Sequence, residues 1–222
     1  MKLRPALIAA ALAACGAAAL PALAQDADLL VRHTIVSAGA DGIKRTVEFS
    51  ERVVRRQDQV WIERIVPAGW HSAHEHAAGD KGHRHLDVSA AARWVQRAQD
   101  GRPSLQLASA EDKVLVDVAP TDYGNVGFDG SWTAAYHLID PASLKALKPT
   151  GRNGDLTTYT SQEPGRTLKV VWNQRLQYPV LVESTQGASS RKTAVQAQPP
   201  AATPPWNATR SYQKKDYSDY LD

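Results

Sequence analysis

Ile43-Lys44-Arg45-Thr46-Val47-Glu48-Phe49-Ser50-Glu51-Arg52-Val53-Val54 is followed by a turn at Gln57-Asp58-Gln59 and answered by Val60-Trp61-Ile62-Glu63-Arg64-Ile65-Val66. Val47, Phe49 and Val53 alternate with Glu48, Ser50 and Arg52, and in an extended chain that alternation sends the two sets to opposite faces. A turn between two such runs makes a long antiparallel hairpin with one wet face. Just upstream, residues 29–36 are apolar-rich and residues 39–42 carry turn chemistry, so a third strand precedes the hairpin. Pro67 closes the pattern.

Downstream, the Ala-rich residues 89–99 read as a short helix, with Trp94, Val95 and Ala98 on its apolar side and Gly101 as its stop signal. Residues 105–108 and 114–118 form a hairpin around Glu111-Asp112-Lys113, and residues 120–130 are a glycine-bearing loop. Ser131 is placed to cap a helix to residue 139, and Asp140-Pro141 starts a second one to residue 147. Residues 156–161 and 167–173 are strands joined by Glu163-Pro164-Gly165-Arg166, and residues 180–184 and 191–195 complete the set. The total is about nine strands and two or three short helices, an α+β domain dominated by antiparallel sheet.

The chain of 222 residues opens on Met1-Lys2-Leu3-Arg4 and an Ala/Leu-rich run to Leu20, then Pro21 and Ala22-Leu23-Ala24. This is the anatomy of a secretory signal peptide, residues 1–24, which places the protein in the periplasm of a bacterial envelope. Leu12-Ala13-Ala14-Cys15 also resembles a lipobox, which would lipid-anchor the mature chain through Cys15. Cys15 is the single cysteine of the sequence, so a chain cut after Ala24 has neither disulfide nor thiolate chemistry. Without Lys2 and Arg4 the count is 24 basic against 23 acidic residues, and no basic block points to nucleic acid. Residues 25–198 then form a single domain, and Pro199-Pro200-Ala201-Ala202-Thr203-Pro204-Pro205 is a semi-rigid linker within the segment 199–222. Beyond it, Trp206, Tyr212, Tyr217 and Tyr220 lie among charges. They mark either a tail that packs Trp206 back on the sheet or a docking peptide for an envelope protein.

Residues 71–87 hold five of the seven histidines, His71, His74, His76, His83 and His85. The pairs His74/His76 and His83/His85 flank a turn-forming segment, residues 77–82. In a hairpin with that loop, His76 faces His83 and His74 faces His85, and cross-strand neighbours sit about 4.5–5.5 Å apart at Cβ. Imidazoles so gathered suit a transition metal ion: zinc, copper or nickel. Glu75, Asp80 and Asp87 add carboxylates. The same stretch also fits a plain solvated loop or a proton-sensitive switch.

Two stretches carry a family resemblance. One is the Arg- and aromatic-rich hairpin, residues 47–66. The other is Leu168-Lys169-Val170-Val171-Trp172-Asn173 followed by Leu176-Gln177-Tyr178-Pro179-Val180-Leu181-Val182-Glu183-Ser184. Together with the signal peptide they resemble the periplasmic LolA/LolB superfamily, which includes the N-terminal domain of RseB-type regulators. The resemblance implies a curved, half-barrel-like antiparallel sheet whose concave face is plugged by helices and binds acyl chains or lipoproteins. A histidine-rich hairpin is a departure from that family's pattern.

Two functions follow as expectations. The first is a non-enzymatic envelope protein that binds a metal ion through the histidine hairpin. The alternative is a carrier or sensor of lipid, lipoprotein or another apolar ligand, with Trp61, Trp94, Trp132 and Trp172 either lining the concave face or serving as ordinary core. No Gly-x-Ser-x-Gly, His-Glu-x-x-His or mature cysteine fills a catalytic template, so the chain reads as a binding protein and not an enzyme.

Overall fold

The computed structural model describes residues 26–39, 42–66 and 86–221. The strands are β1 (Ala27–Ala38), β2 (Lys44–Arg56), β3 (Gln59–Ile65), β4 (Ala92–Arg97), β5 (Pro103–Ser109) and β6 (Val114–Val118), then β7 (Lys148–Asn153), β8 (Leu156–Glu163), β9 (Arg166–Asn173), β10 (Tyr178–Gln186), β11 (Ser189–Gln198) and β12 (Gln213–Asp216). All twelve belong to one sheet, in the order β12-β6-β5-β4-β3-β2-β1-β11-β10-β9-β8-β7. Strands β1 to β6 make one up-and-down meander and β7 to β11 a second. The two are sewn together where β1 pairs β11, from Asp28↔Gln198 to Val36↔Ser190. Tight turns suit this topology, and Gly165 and Gly187 take φ of +72° and +57° at two of them, a region L side chains rarely enter.

The sheet differs from the expected half-barrel of about nine antiparallel strands. It is open, because its outermost strands β12 and β7 are not neighbours, and it is mixed, because β12 runs parallel to β6. The protein is mostly β, with one α-helix, α1 (Trp132–His137), and 3-10 turns at Pro120–Val126, Pro141–Ala146, Pro205–Ser211 and Tyr217–Tyr220. The starts of the two expected helices are where the sequence puts them. Ser131 Oγ accepts from Ala134 N at 3.1 Å, and Asp140 Oδ1 accepts from Ala142 N at 2.8 Å. Both helices end early: Leu138 leaves α1 with φ 66°, and the second is a 3-10 turn.

The expected helix over residues 89–99 is a correction, for residues 92–97 are strand β4. Trp94 and Val95 are adjacent yet pack on opposite faces, Trp94 against Trp61 and Val95 in the cluster of Val60 and Leu105. That is a period of two, hidden in sequence by the Ala run before it. Asp87 turns the chain ahead of the strand by accepting from Ser89 N and Ala90 N.

Both faces of the sheet carry core. On one, Leu29, Val31, Val53, Val60, Val95, Leu105, Leu107 and Val116 lie under the segment 120–147, which contributes Tyr123, Val126, Phe128 and Tyr136. On the other, Val54, Trp61, Ala92, Ala108 and Leu115 are covered by Trp94, Trp206 and Tyr212. The C-terminal segment packs against the sheet. Ala201 N donates to Asp28 Oδ2 at 2.9 Å, Trp206 stacks on Trp94 with centroids 6.1 Å apart, and β12 follows on the edge of β6.

Candidate functional site

His71, His74, His76, His83 and His85 lie outside the described residues, as do Cys15 and the signal segment. Among the described residues, no group of three or more His, Cys, Asp or Glu side chains converges as a metal site would require. The four tryptophans do not share a surface. Trp61 and Trp94 meet across β3 and β4 on the face covered by Trp206. Trp132 packs beside Tyr136 on the opposite face, and Trp172 is buried there with Leu144 and Val170. Trp61 and Trp172 are buried and Trp94 and Trp132 half-buried, each packed against neighbouring core residues.

A different place on the molecule has the form of a site. Strand β3 stops pairing β2 at Ser50↔Ile65, while β2 continues to Lys44 against β1 alone among the described residues. A cleft of about 700 Å³ opens at this step. Its walls come from Arg32, Thr34, Glu48 and Phe49 of the β1–β2 hairpin, from Arg64, Ile65 and Val66, and from Ser89 and Ala90. The volume falls in the range of about 300–1,000 Å³ typical of small-molecule sites.

The floor is polar and ordered. His33, only 7% exposed, places Nδ1 3.1 Å from Thr193 Oγ1 and Nε2 3.0 Å from Glu51 Oε2. Arg93 Nη2 lies 3.2 Å from the other oxygen of Glu51. Burial works to raise the Glu51 carboxyl's pKa, but the hydrogen bond with His33 and the charges of Arg93 and Arg64 outweigh it, so Glu51 titrates below its ordinary value. Above this floor, Phe49 stacks on His33 with centroids 4.6 Å apart, and the Arg64 guanidinium lies 4.6 Å over Phe49. The sequence reading missed this group. The available signal was a histidine on the inward face of β1, with Glu51 diagonal to it across the hairpin.

A second buried polar group lies deeper. Arg55 is fully buried against the rings of Tyr136 and Tyr178, and it donates to the carbonyls of Tyr136, Gln177 and Leu176. His137 Nδ1–H donates to Gln177 O at 2.6 Å. This group ties β2, α1 and the β9–β10 turn together.

In strand path the chain resembles a LolA-superfamily protein. The protein in question, NE2245 from Nitrosomonas europaea, is 10% identical with a TM-score of 0.30, over 80% of this chain and 88% of that one. The hypothetical protein CT021 from Chlamydia trachomatis is likewise 10% identical at a TM-score of 0.36, over 82% and 92%. PNGF-II is 11% identical at 0.38, over 87% of this chain but 32% of its own, so the chain spans about a third of PNGF-II's length. No protein-family model and no curated protein sequence matches the chain. The likeness is one of topology, and the chemistry of the cleft has to be read from its own residues.

Proposed function

We propose that this chain is a non-enzymatic periplasmic protein that carries or senses an apolar, acyl-type ligand on the open end of the sheet. One observation supports the reading above others. Among the described residues, five large hydrophobic side chains are exposed, and four of them stand on this end of the sheet: Ile65 and Val66 line the cleft, Ile43 lies just ahead of β2, and Val47 lies on the β2 stretch that projects beyond β3. Covering such surface is favourable by about 25 cal/mol per Å², and exposed apolar side chains gathered near a concavity are a usual mark of a ligand or partner. The envelope location rests on the signal-peptide reading of residues 1–24, with the Cys15-anchored form as its variant.

The test is titration of the purified protein with a dansyl-labelled fatty acid. Saturable binding at one site is expected, weakened about tenfold or more by Val47→Asp combined with Val66→Asp, because a carboxylate there meets the acyl chain. Absent or non-saturating binding would end this reading.

Metal binding is a second proposal, supported by the mirrored spacing of the histidines alone. If His71, His74, His76, His83 and His85 hold zinc, copper or nickel, calorimetry should show stoichiometric uptake at about pH 7.5. Uptake should be lost at about pH 5.5, where imidazoles are protonated. His74→Ala with His76→Ala should remove it and leave acyl binding unchanged.

A further inference from the structure

We propose that Arg64 is a head-group anchor, so that the cleft takes a single-chain amphiphile with an anionic head in preference to a neutral one. This rests on the acyl-ligand reading above and gives that ligand a charge.

The geometry that points to it is a column of three stacked groups. His33 is fixed at the base by Thr193 and Glu51, Phe49 lies on His33, and the Arg64 guanidinium lies on Phe49. A guanidinium has its five N–H donors in its own plane. Resting a face on an aromatic ring holds that plane in position and leaves the donor edge for a partner. The carboxylate nearest in chemistry, Glu51, is already engaged on both oxygens, by His33 and by Arg93. Glu63 accepts from Trp61 Nε1 at 3.2 Å. Glu48 accepts from Thr34 Oγ1 at 3.4 Å. Among the described residues, Arg64 makes no salt bridge with any carboxylate.

Arg64 is exposed at the cleft wall, next in sequence to the exposed apolar pair Ile65 and Val66. A positioned fork donor beside an aliphatic edge matches a carboxylate or phosphate carried on an acyl chain. Arg32 and Glu48 also border the cleft, but strand alternation sends both side chains to the face opposite Arg64, where Arg32 donates to Gln196 Oε1 at 3.4 Å, so Arg64 is the cation on the Phe49 side. The size of the cleft fits one such molecule and not a folded protein surface.

The experiment compares palmitate, hexadecanol and a single-chain lysophosphatidic acid, each below its critical micelle concentration and at low ionic strength. Each is measured against the unaltered protein, Arg64→Gln and Arg64→Lys. Palmitate is expected to bind about tenfold tighter than hexadecanol, a difference of the kind one charge-assisted fork supplies. Arg64→Gln should bring palmitate down to the alcohol's affinity and leave the alcohol where it was. Arg64→Lys should recover part of the preference, since an ammonium keeps the charge but not the planar fork. Stronger binding of the lysophosphatidic acid, lost in Arg64→Gln, would support the anchor and assign its partner to phosphate. Equal binding of palmitate and hexadecanol, or a preference that survives Arg64→Gln, would overturn the anchor while the acyl-ligand reading stands. If none of the three binds, both fall.

Discussion

Arg55 shows how much this fold relies on single polar residues. It carries a charge in the sheet's core, where it meets three backbone carbonyls and the rings of Tyr136 and Tyr178. Burial lowers the guanidinium's pKa, with Tyr136, Tyr178 and Asp26 acting against that shift. Arg55→Met would leave those carbonyls buried and unmet, and a loss of about 2–4 kcal/mol in urea unfolding is expected. Arg55→Lys should recover less than half of it, because a lysine cannot both stack and reach three acceptors. Acid sensitivity is also a residue-scale property. Burial, together with the Arg55 charge, lowers the pKa of His137, with the Gln177 carbonyl opposing; its stability contribution is thus full above its ordinary 6.5 and is lost as pH falls below that. Glu51, also depressed, contributes above the ordinary 4.5 and loses that contribution as pH falls through its lower folded value. Unfolding free energy should therefore fall in two stages on acidification. The difference between the unaltered protein and Glu51→Gln, about 1–2 kcal/mol near neutrality, should shrink only in the second.

Among elements, the C-terminal segment packs Trp206 on the sheet, one of the two readings its aromatics allow, and adds a strand that the sequence does not announce. Its strand, Gln213-Lys214-Lys215-Asp216, is polar and short, and nothing in its pattern announces a place on the edge of β6. What holds it is Trp206 on Trp94 and Tyr212 beside Lys113, contacts whose partners lie far away in sequence. Trp206→Ala is expected to cost about 1–3 kcal/mol, less than a fully buried tryptophan because Trp206 is half-buried. It should also change the fluorescence of Trp94. Removing residues 199–222 should bare the β6 edge together with Leu115 and Trp94, and light scattering should then show self-association. Strand β7 was invisible for a related reason: all six residues are exposed, so no apolar alternation marks it. By contrast β2, β3, β5, β6, β9 and β11 were legible, because each carries an apolar run or alternation bounded by turn residues, whether one face is buried, as in β9, or both, as in β6. The cleft was half legible. Val47, Phe49 and Arg64 stand in the stretch that decides the fold, but their conjunction with His33 and Thr193 depends on a pairing across 160 residues.

At the scale of the molecule, two local meanders share one seam, the β1–β11 ladder. Hairpins within each meander close over short loops, whereas the seam closes over most of the chain, so folding is expected in the millisecond-to-second range. Stopped-flow refolding checks this, and Ala194→Pro, which strikes a residue paired with both Arg32 and Leu181, should slow it markedly or prevent it. The seam has a further consequence for a chain that opens on a signal-peptide-like run. Threaded N-terminus first through an export channel, it would deliver β1 early and β11 near the end. In the interval the first meander would stand with two bare flanks, β6, which β12 covers, and β1, with Leu29 and Val31 beside it. The longer of the two waits for β11, so β1 is where a holding chaperone, or a neighbouring newly exported chain, would take hold first.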